Sequence, residues 1–178
     1  YGHGGVAYTP GIPKHLHQKL KQLKHGRAST LTTDTRPSYV ALGTRDRYYV
    51  QFHDGSADWK GPKALDKLLK NCRLAPRSVA FGEKYDSYFV VFEDGSWECN
   101  DIPEELNDKL ADRVDHPDLV CVTMGPSGAF FLRAASGKMW WGGISEELDI
   151  MIQSLLETDR YLNFIDFGED SSYFLSYD

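Results

Sequence analysis

The chain lacks any apolar run near the roughly 20 residues needed to cross a bilayer as a helix, and no signal-peptide pattern opens it. A membrane partner is therefore not expected. Starting on Tyr1 rather than Met fits a trimmed or excised piece of something longer. Cysteine is scarce: Cys72, Cys99 and Cys121 are an odd set, with no Cys-x-x-Cys. No Asn-x-Ser/Thr acceptor is present either. Both absences favour a reducing, intracellular (cytoplasmic) setting over secretion. Positive charge is also short. Lys and Arg number 20 against 26 Asp and Glu, a net charge of -6. Without a basic surface run, nucleic-acid phosphates are not an expected partner. The densest basic stretch, residues 19–27, reads as the solvated face of a helix.

Metal and cofactor signals are missing too. His15 and His17 lie two apart, the wrong spacing for one helix face. Gly4-Gly5 and Gly142-Gly143 are not followed by the Lys-Ser/Thr of a phosphate loop. No metal and no cofactor is assigned. Neither a Ser-His-Asp nor a Cys-His pattern has a recognisable context.

What the chain does have is repetition. Val40-Ala41-Leu42-Gly43 precedes Tyr48-Tyr49-Val50-Gln51-Phe52 and then Asp54-Gly55-Ser56. Val79-Ala80-Phe81-Gly82 precedes Tyr88-Phe89-Val90-Val91-Phe92 and Asp94-Gly95-Ser96. Val122-Thr123-Met124-Gly125 precedes Phe130-Phe131-Leu132-Arg133-Ala134 and Ser136-Gly137. The two glycines of each copy are 12, 13 and 12 residues apart. A fourth copy starts at Ile165-Asp166-Phe167-Gly168 and Tyr173-Phe174-Leu175-Ser176-Tyr177, where the chain stops. Its missing turn, strand and helix stand at the other end, as Gly4-Gly5, Val6-Ala7-Tyr8 and the segment from Ile12 to Leu20.

Alternating apolar positions rich in Tyr, Phe and Val predict strands, and Asp-Gly between two such runs predicts a hairpin. A proline-led or serine-led segment then starts a helix. Leu16 and Leu20, Leu65 and Leu69, Leu106 and Leu110, and Leu148 and Ile152 are spaced to form one apolar face per helix. The predicted fold is mainly β with short helices, each unit three antiparallel strands plus a helix. The units span about 37–73, 76–113, 117–158, and 161–178 joined with 1–25, in a single repeat domain over 1–178. Pairing near Tyr177 and Tyr8 would close the four units into a ring without a free edge. A ring of β-meanders each backed by an outer helix is the alternative architecture. The Thr-rich stretch Arg27 to Arg36 reads as a surface loop, or as a cover over one mouth of the ring.

Four units of about 43 residues with aromatic strand pairs and Pro-led short helices resemble the hemopexin-type four-bladed β-propeller. The resemblance covers the whole chain and is architectural, with Val-Ala-Leu-Gly and Val-Ala-Phe-Gly standing where that family has an Asp-Ala-Ala-Phe type motif. It implies closure by joining first and last segments. It also implies a central channel able to hold ions with backbone groups.

Small or polar residues at one position of the inner strand, Ala41, Ala80, Thr123 and Asp166, are expected to line that channel. Strand alternation sends Trp140 and Trp141 to opposite faces, so one of them should face outward as a binding anchor. Arg133 replaces Gln51, Val91 and Ser176 in the most divergent unit. The candidate binding residues are thus Trp140, Trp141, Arg133, Thr123 and Asp166. Two functions stay open. One is a binding module offering a ring face or channel to a protein or small-molecule ligand. The other is an enzyme at the ring mouth using Asp166, Arg133 and His53.

Overall fold

The aromatic and β-branched runs form strands because their branched and planar side chains pack well on a pleated surface. The computed structural model describes residues 12–25, 36–111, 118–158, 160–168 and 172–178, with side chains left undescribed at 22–25. The elements run in the order α1 (Lys14–His25), β1 (Pro37–Leu42), β2 (Tyr48–Phe52), β3 (Ala57–Lys60) and α2 (Lys63–Asn71). Next come β4 (Pro76–Phe81), β5 (Tyr88–Phe92), β6 (Trp97–Asn100) and α3 (Glu104–Ala111). Then follow β7 (Leu119–Met124), β8 (Phe130–Ala134), β9 (Met139–Gly142), α4 (Glu146–Glu157), β10 (Leu162–Phe167) and β11 (Tyr173–Tyr177). The predicted strand around Val6-Ala7-Tyr8 and most of the Thr-rich stretch lie outside the described residues.

The strands make three antiparallel three-stranded sheets, β1-β2-β3, β4-β5-β6 and β7-β8-β9, and one two-stranded sheet, β10-β11. Among the described residues no sheet closes on itself into a barrel or ring. Register is the same throughout. The first inner-strand residue, Pro37, Pro76, Leu119 or Leu162, pairs with Phe52, Phe92, Ala134 or Tyr177, and a register shift follows each time. One backbone bond closes the base of every hairpin: His53 to Arg36, Glu93 to Ala75, Ala135 to Asp118 and Asp178 to Tyr161, with N–H donating to C=O. The Gly55, Gly95 and Gly137 turns hold φ of +82°, +82° and +85°, which a side chain at these positions would strain.

Each helix buries its expected apolar pair: Leu16 and Leu20, Leu65 and Leu69, Leu106 and Leu110, Leu148 and Ile152. Each such side chain contributes about 2 kcal/mol of transfer free energy. These pairs tie neighbouring sheets together. Leu65 and Leu69 meet Tyr49 from the sheet before α2 and Tyr88, Val90 and Phe92 from the sheet after it. Leu106 and Leu110 join Phe89 and Val91 to Phe130 and Leu132 in the same way. Leu148 and Ile152 lie with Phe131, Leu162 and Ile165. On Tyr48, Val50 and Phe52 the place is taken by Leu16 and Leu20 of α1. The first helix therefore covers the first sheet as each later helix covers the sheet that follows it.

The inner strands are joined by side chains reaching to backbone. The Tyr39 hydroxyl donates to the Val79 carbonyl at 2.8 Å and accepts from the Val79 N–H at 3.0 Å. Ser78 Oγ donates to Val122 O at 3.3 Å, and Thr123 Oγ1 to Ile165 O at 2.7 Å. The acceptor is always the residue three before the inner glycine. Where a unit precedes them, these residues (Val79, Val122, Ile165) are buried, whereas Val40 is 43% and Leu42 52% exposed on the first sheet. At the other end Phe174 is 65% exposed, although its counterparts Tyr49, Phe89 and Phe131 are buried.

Candidate functional site: clefts at the glycine loops

Each inner hairpin begins with a glycine whose N–H donates to the carbonyl of the residue just before the aromatic pair. The partners are Gly43 and Arg47, Gly82 and Ser87, Gly125 and Ala129, and Gly168 and Ser172. This shared bond sets Arg47, Ser87, Ala129 and Ser172 in one structural position. A Cβ at Gly43 would sit 2.6 Å from the Phe81 Cβ, so the first loop meets the next sheet at glycine's closest approach.

At the first junction the position is filled by Arg47, whose side chain is fully buried. Its Nη1 donates to the carbonyls of Lys84 at 2.8 Å, Ser87 at 3.0 Å and Tyr85 at 3.2 Å. Its Nη2 donates to Gly82 O at 2.5 Å and to Thr44 Oγ1 at 2.9 Å, and Nε donates to Thr44 O at 3.0 Å. The guanidinium carbon lies 5.2 Å from the Phe81 ring centre and 5.8 Å from that of Tyr85, within cation–π range. Burial lowers the Arg47 pKa, yet guanidinium is too basic to lose its proton in a protein. A buried charge persists only when this fully paired. The loop adds strain of its own, because Arg45 and Asp46 both hold left-handed φ, 57° and 61°.

At the second junction the position holds Ser87, and the loop of the third unit carries Ser127 and Gly128 where an aromatic Tyr85 stands before it. A cleft of about 140 Å³ opens there between Gly82, Ser87, Gly125 and Gly128. Its rim carries Glu83, Lys84 and Asp101. Lys84 Nζ pairs with Asp101 at 2.9 Å, and Glu83 Oε2 accepts from Ser127 N–H at 3.0 Å. The third junction, with Ala129 in the position and Phe167 opposite, keeps only about 40 Å³.

The residues singled out in the sequence lie elsewhere. Trp141 Nε1 donates to Asp149 of α4 at 2.7 Å, as Trp59 does to Asp66 of α2 at 3.3 Å. Trp140 packs on the opposite face, against the core that joins the second and third sheets. Both are half-buried, so they form two separate surfaces. Arg133 Nη1 donates to Tyr161 Oη at 2.6 Å with its guanidinium over that ring. Its Nε is buried without a partner. Burial pushes the neighbouring Cys121 thiol pKa up. Thr123 is committed to the β10 backbone, and Ala80 is packed in the core. Asp166 is exposed on its strand, yet enough of its surroundings is protein to raise its carboxyl pKa by desolvation. Among the described residues no three His, Cys, Asp or Glu side chains gather closely enough to hold a metal ion. No helix among them is long and apolar enough to cross a membrane.

Arg47 and the second-junction cleft were missed from sequence, because Arg45-Asp46-Arg47 looks like an ordinary charged turn. The signal that would have found them is a size mismatch: Arg, Ser, Ala and Ser at one position just before each aromatic pair. Comparison of the chain with protein-family models, curated proteins and solved structures finds no match.

Proposed function

We propose that this chain is a binding module: a four-unit, propeller-like ring in which the terminal segments share the fourth blade, as the hemopexin-type resemblance implies. It presents the face formed by its glycine loops to a protein ligand. The observation that carries this is the second-junction cleft, open at a place where the first junction is packed solid. Its rim carboxylates already hold Ser127 and Lys84, an arrangement suited to shaping a contact surface rather than to moving protons. The alternative contacts are the half-buried Trp140 and Trp141, on opposite faces of β9, with Arg133, Thr123 and Asp166 as the other candidate residues on the same module.

The test is an amide-resolved NMR titration with a library of short capped peptides covering all side-chain classes. Ligands that shift the amides of Gly82, Ser87, Gly125 and Gly128 support the cleft as the contact. Ligands whose shifts are confined to Trp140 and Trp141 move the binding surface there and reject the cleft.

A further inference from the structure

The junctions place the same loop position against a hydrogen-bonded turn of the next unit, so the first is a precedent for what the open second one can hold. Two bonds define each turn. Gly82 N–H bonds Ser87 O and Ser87 N–H bonds Lys84 O in the second unit. Gly125 N–H bonds Ala129 O and Ala129 N–H bonds Pro126 O in the third. By this bonding pattern the carbonyls of Gly82, Lys84 and Ser87 that receive Arg47 correspond to those of Gly125, Pro126 and Ala129, of which Gly125 lines the cleft together with Gly128. Carbonyls so clustered favour a planar donor carrying several N–H groups in a fixed fork. The residue after the inner glycine sharpens this. Arg47 uses the Thr44 hydroxyl; in the second unit the matching N–H bond from Ser87 falls on Lys84, and the loop's one extra residue, Glu83, adds a carboxylate to the cleft lining. A carboxylate is the stronger partner for guanidinium. Within the cleft rim Glu83 and Asp101 outnumber Lys84, so its charge favours a cation.

The geometry points to a site for one arginine side chain of a partner protein, seated in the second-junction cleft between Ser87 and the Gly125–Ala129 turn. There it takes the place that Arg47 takes at the first junction. This rests on the binding reading above and names the chemistry of its ligand. Lysine fits less well, since its point-like ammonium cannot span separated carbonyls in one plane. The third junction, smaller and floored by Phe167, lacks the room.

The probes are N-acetyl-arginine-methylamide, its lysine and norleucine equivalents, and methylguanidinium, titrated against the whole chain while amide shifts are followed. The arginine compound and methylguanidinium should shift Ser87, Gly125 and Gly128, with the arginine compound about tenfold tighter than the lysine one. Ser87→Arg should fill the cleft from within and abolish those shifts. Glu83→Gln, which keeps an acceptor for Ser127, should weaken the arginine compound about threefold. Equal binding of the norleucine or lysine compound at these amides overturns the arginine assignment and leaves the binding module standing. Shifts that survive Ser87→Arg in a folded variant also overturn it. If no probe and no library peptide touches these amides, both the assignment and the cleft as a contact surface fall. If Ser87→Arg does not fold, an unchanged affinity in Glu83→Gln is the overturning result.

Discussion

The first and second junctions share a hydrogen-bonded loop turn, and the side chain each sets against the next unit is Arg47 at one and Ser87 at the other. At the first, Arg47 makes six hydrogen bonds, four of them to carbonyls of the next unit, and lies against two of that unit's aromatic faces. At the second, Ser87 leaves a cleft, and the sheets are held instead by Ser78, by the Glu83–Ser127 bond and by a continuous apolar core. Both junctions bury an apolar core between their sheets, around Leu65 and Leu69 at the first and Leu106 and Leu110 at the second. The first adds a buried polar key, and the second leaves the place of that key open. A loop site is thereby left open on a rigid frame, which is where binding surfaces commonly sit.

The comparison can be broken first at Arg47. Arg47→Ala removes every donor from a set of buried carbonyls and should cost about 3–5 kcal/mol in urea unfolding. Methylguanidinium at millimolar concentration should recover part of that loss, whereas Ser87→Ala should change stability little. A cost under about 1 kcal/mol for Arg47→Ala would mean that the key is ornamental. Next comes Tyr39, the second polar bond of the first junction. Tyr39→Phe leaves the Val79 N–H and carbonyl without this partner and should cost about 1–3 kcal/mol. Thr123→Val, which removes one bond to Ile165 O at the third junction, should cost about 1 kcal/mol, read from the shift in urea midpoint.

The smallest effect is expected at Tyr49. Its hydroxyl is buried with no hydrogen-bond partner, and burial pushes its pKa up to about 12. Tyr49→Phe should be neutral or stabilising by up to about 1 kcal/mol. The sign of its pH dependence follows from linkage. A phenol that titrates near 10 when unfolded and about 12 when folded keeps its proton longer in the folded state. Its contribution is therefore fully present below pH 10 and is lost between about 10 and 12. Tyr49→Phe should flatten that part of the alkaline unfolding curve relative to the parent chain.

Much of the frame was legible from residue type and spacing. Leucine pairs four apart marked the buried helix faces because one turn brings them together. Asp54-Gly55 and Asp94-Gly95 marked hairpins because glycine alone takes their φ without strain. Valine or isoleucine stands three before each inner glycine, and Val79, Val122 and Ile165 are buried there as acceptors of the inter-sheet hydrogen bonds. Val40 departs from this and is 43% exposed, because β1 is the first inner strand of the described chain and none precedes it. The candidate site was less legible. Exposure of a tryptophan depends on which helix residue meets it, and Asp149 turns Trp141 inward. Arg47 has the look of a surface residue in a charged turn. Only the carbonyls of a loop about 40 residues away make its burial possible.

The most direct test of the account is a crystal structure of the Ser87→Arg variant. The account predicts that the introduced guanidinium lies within hydrogen-bond distance of the Gly125 and Ala129 carbonyls, reproducing the first junction at the second. A side chain turned out to solvent, with the cleft still open, would contradict it.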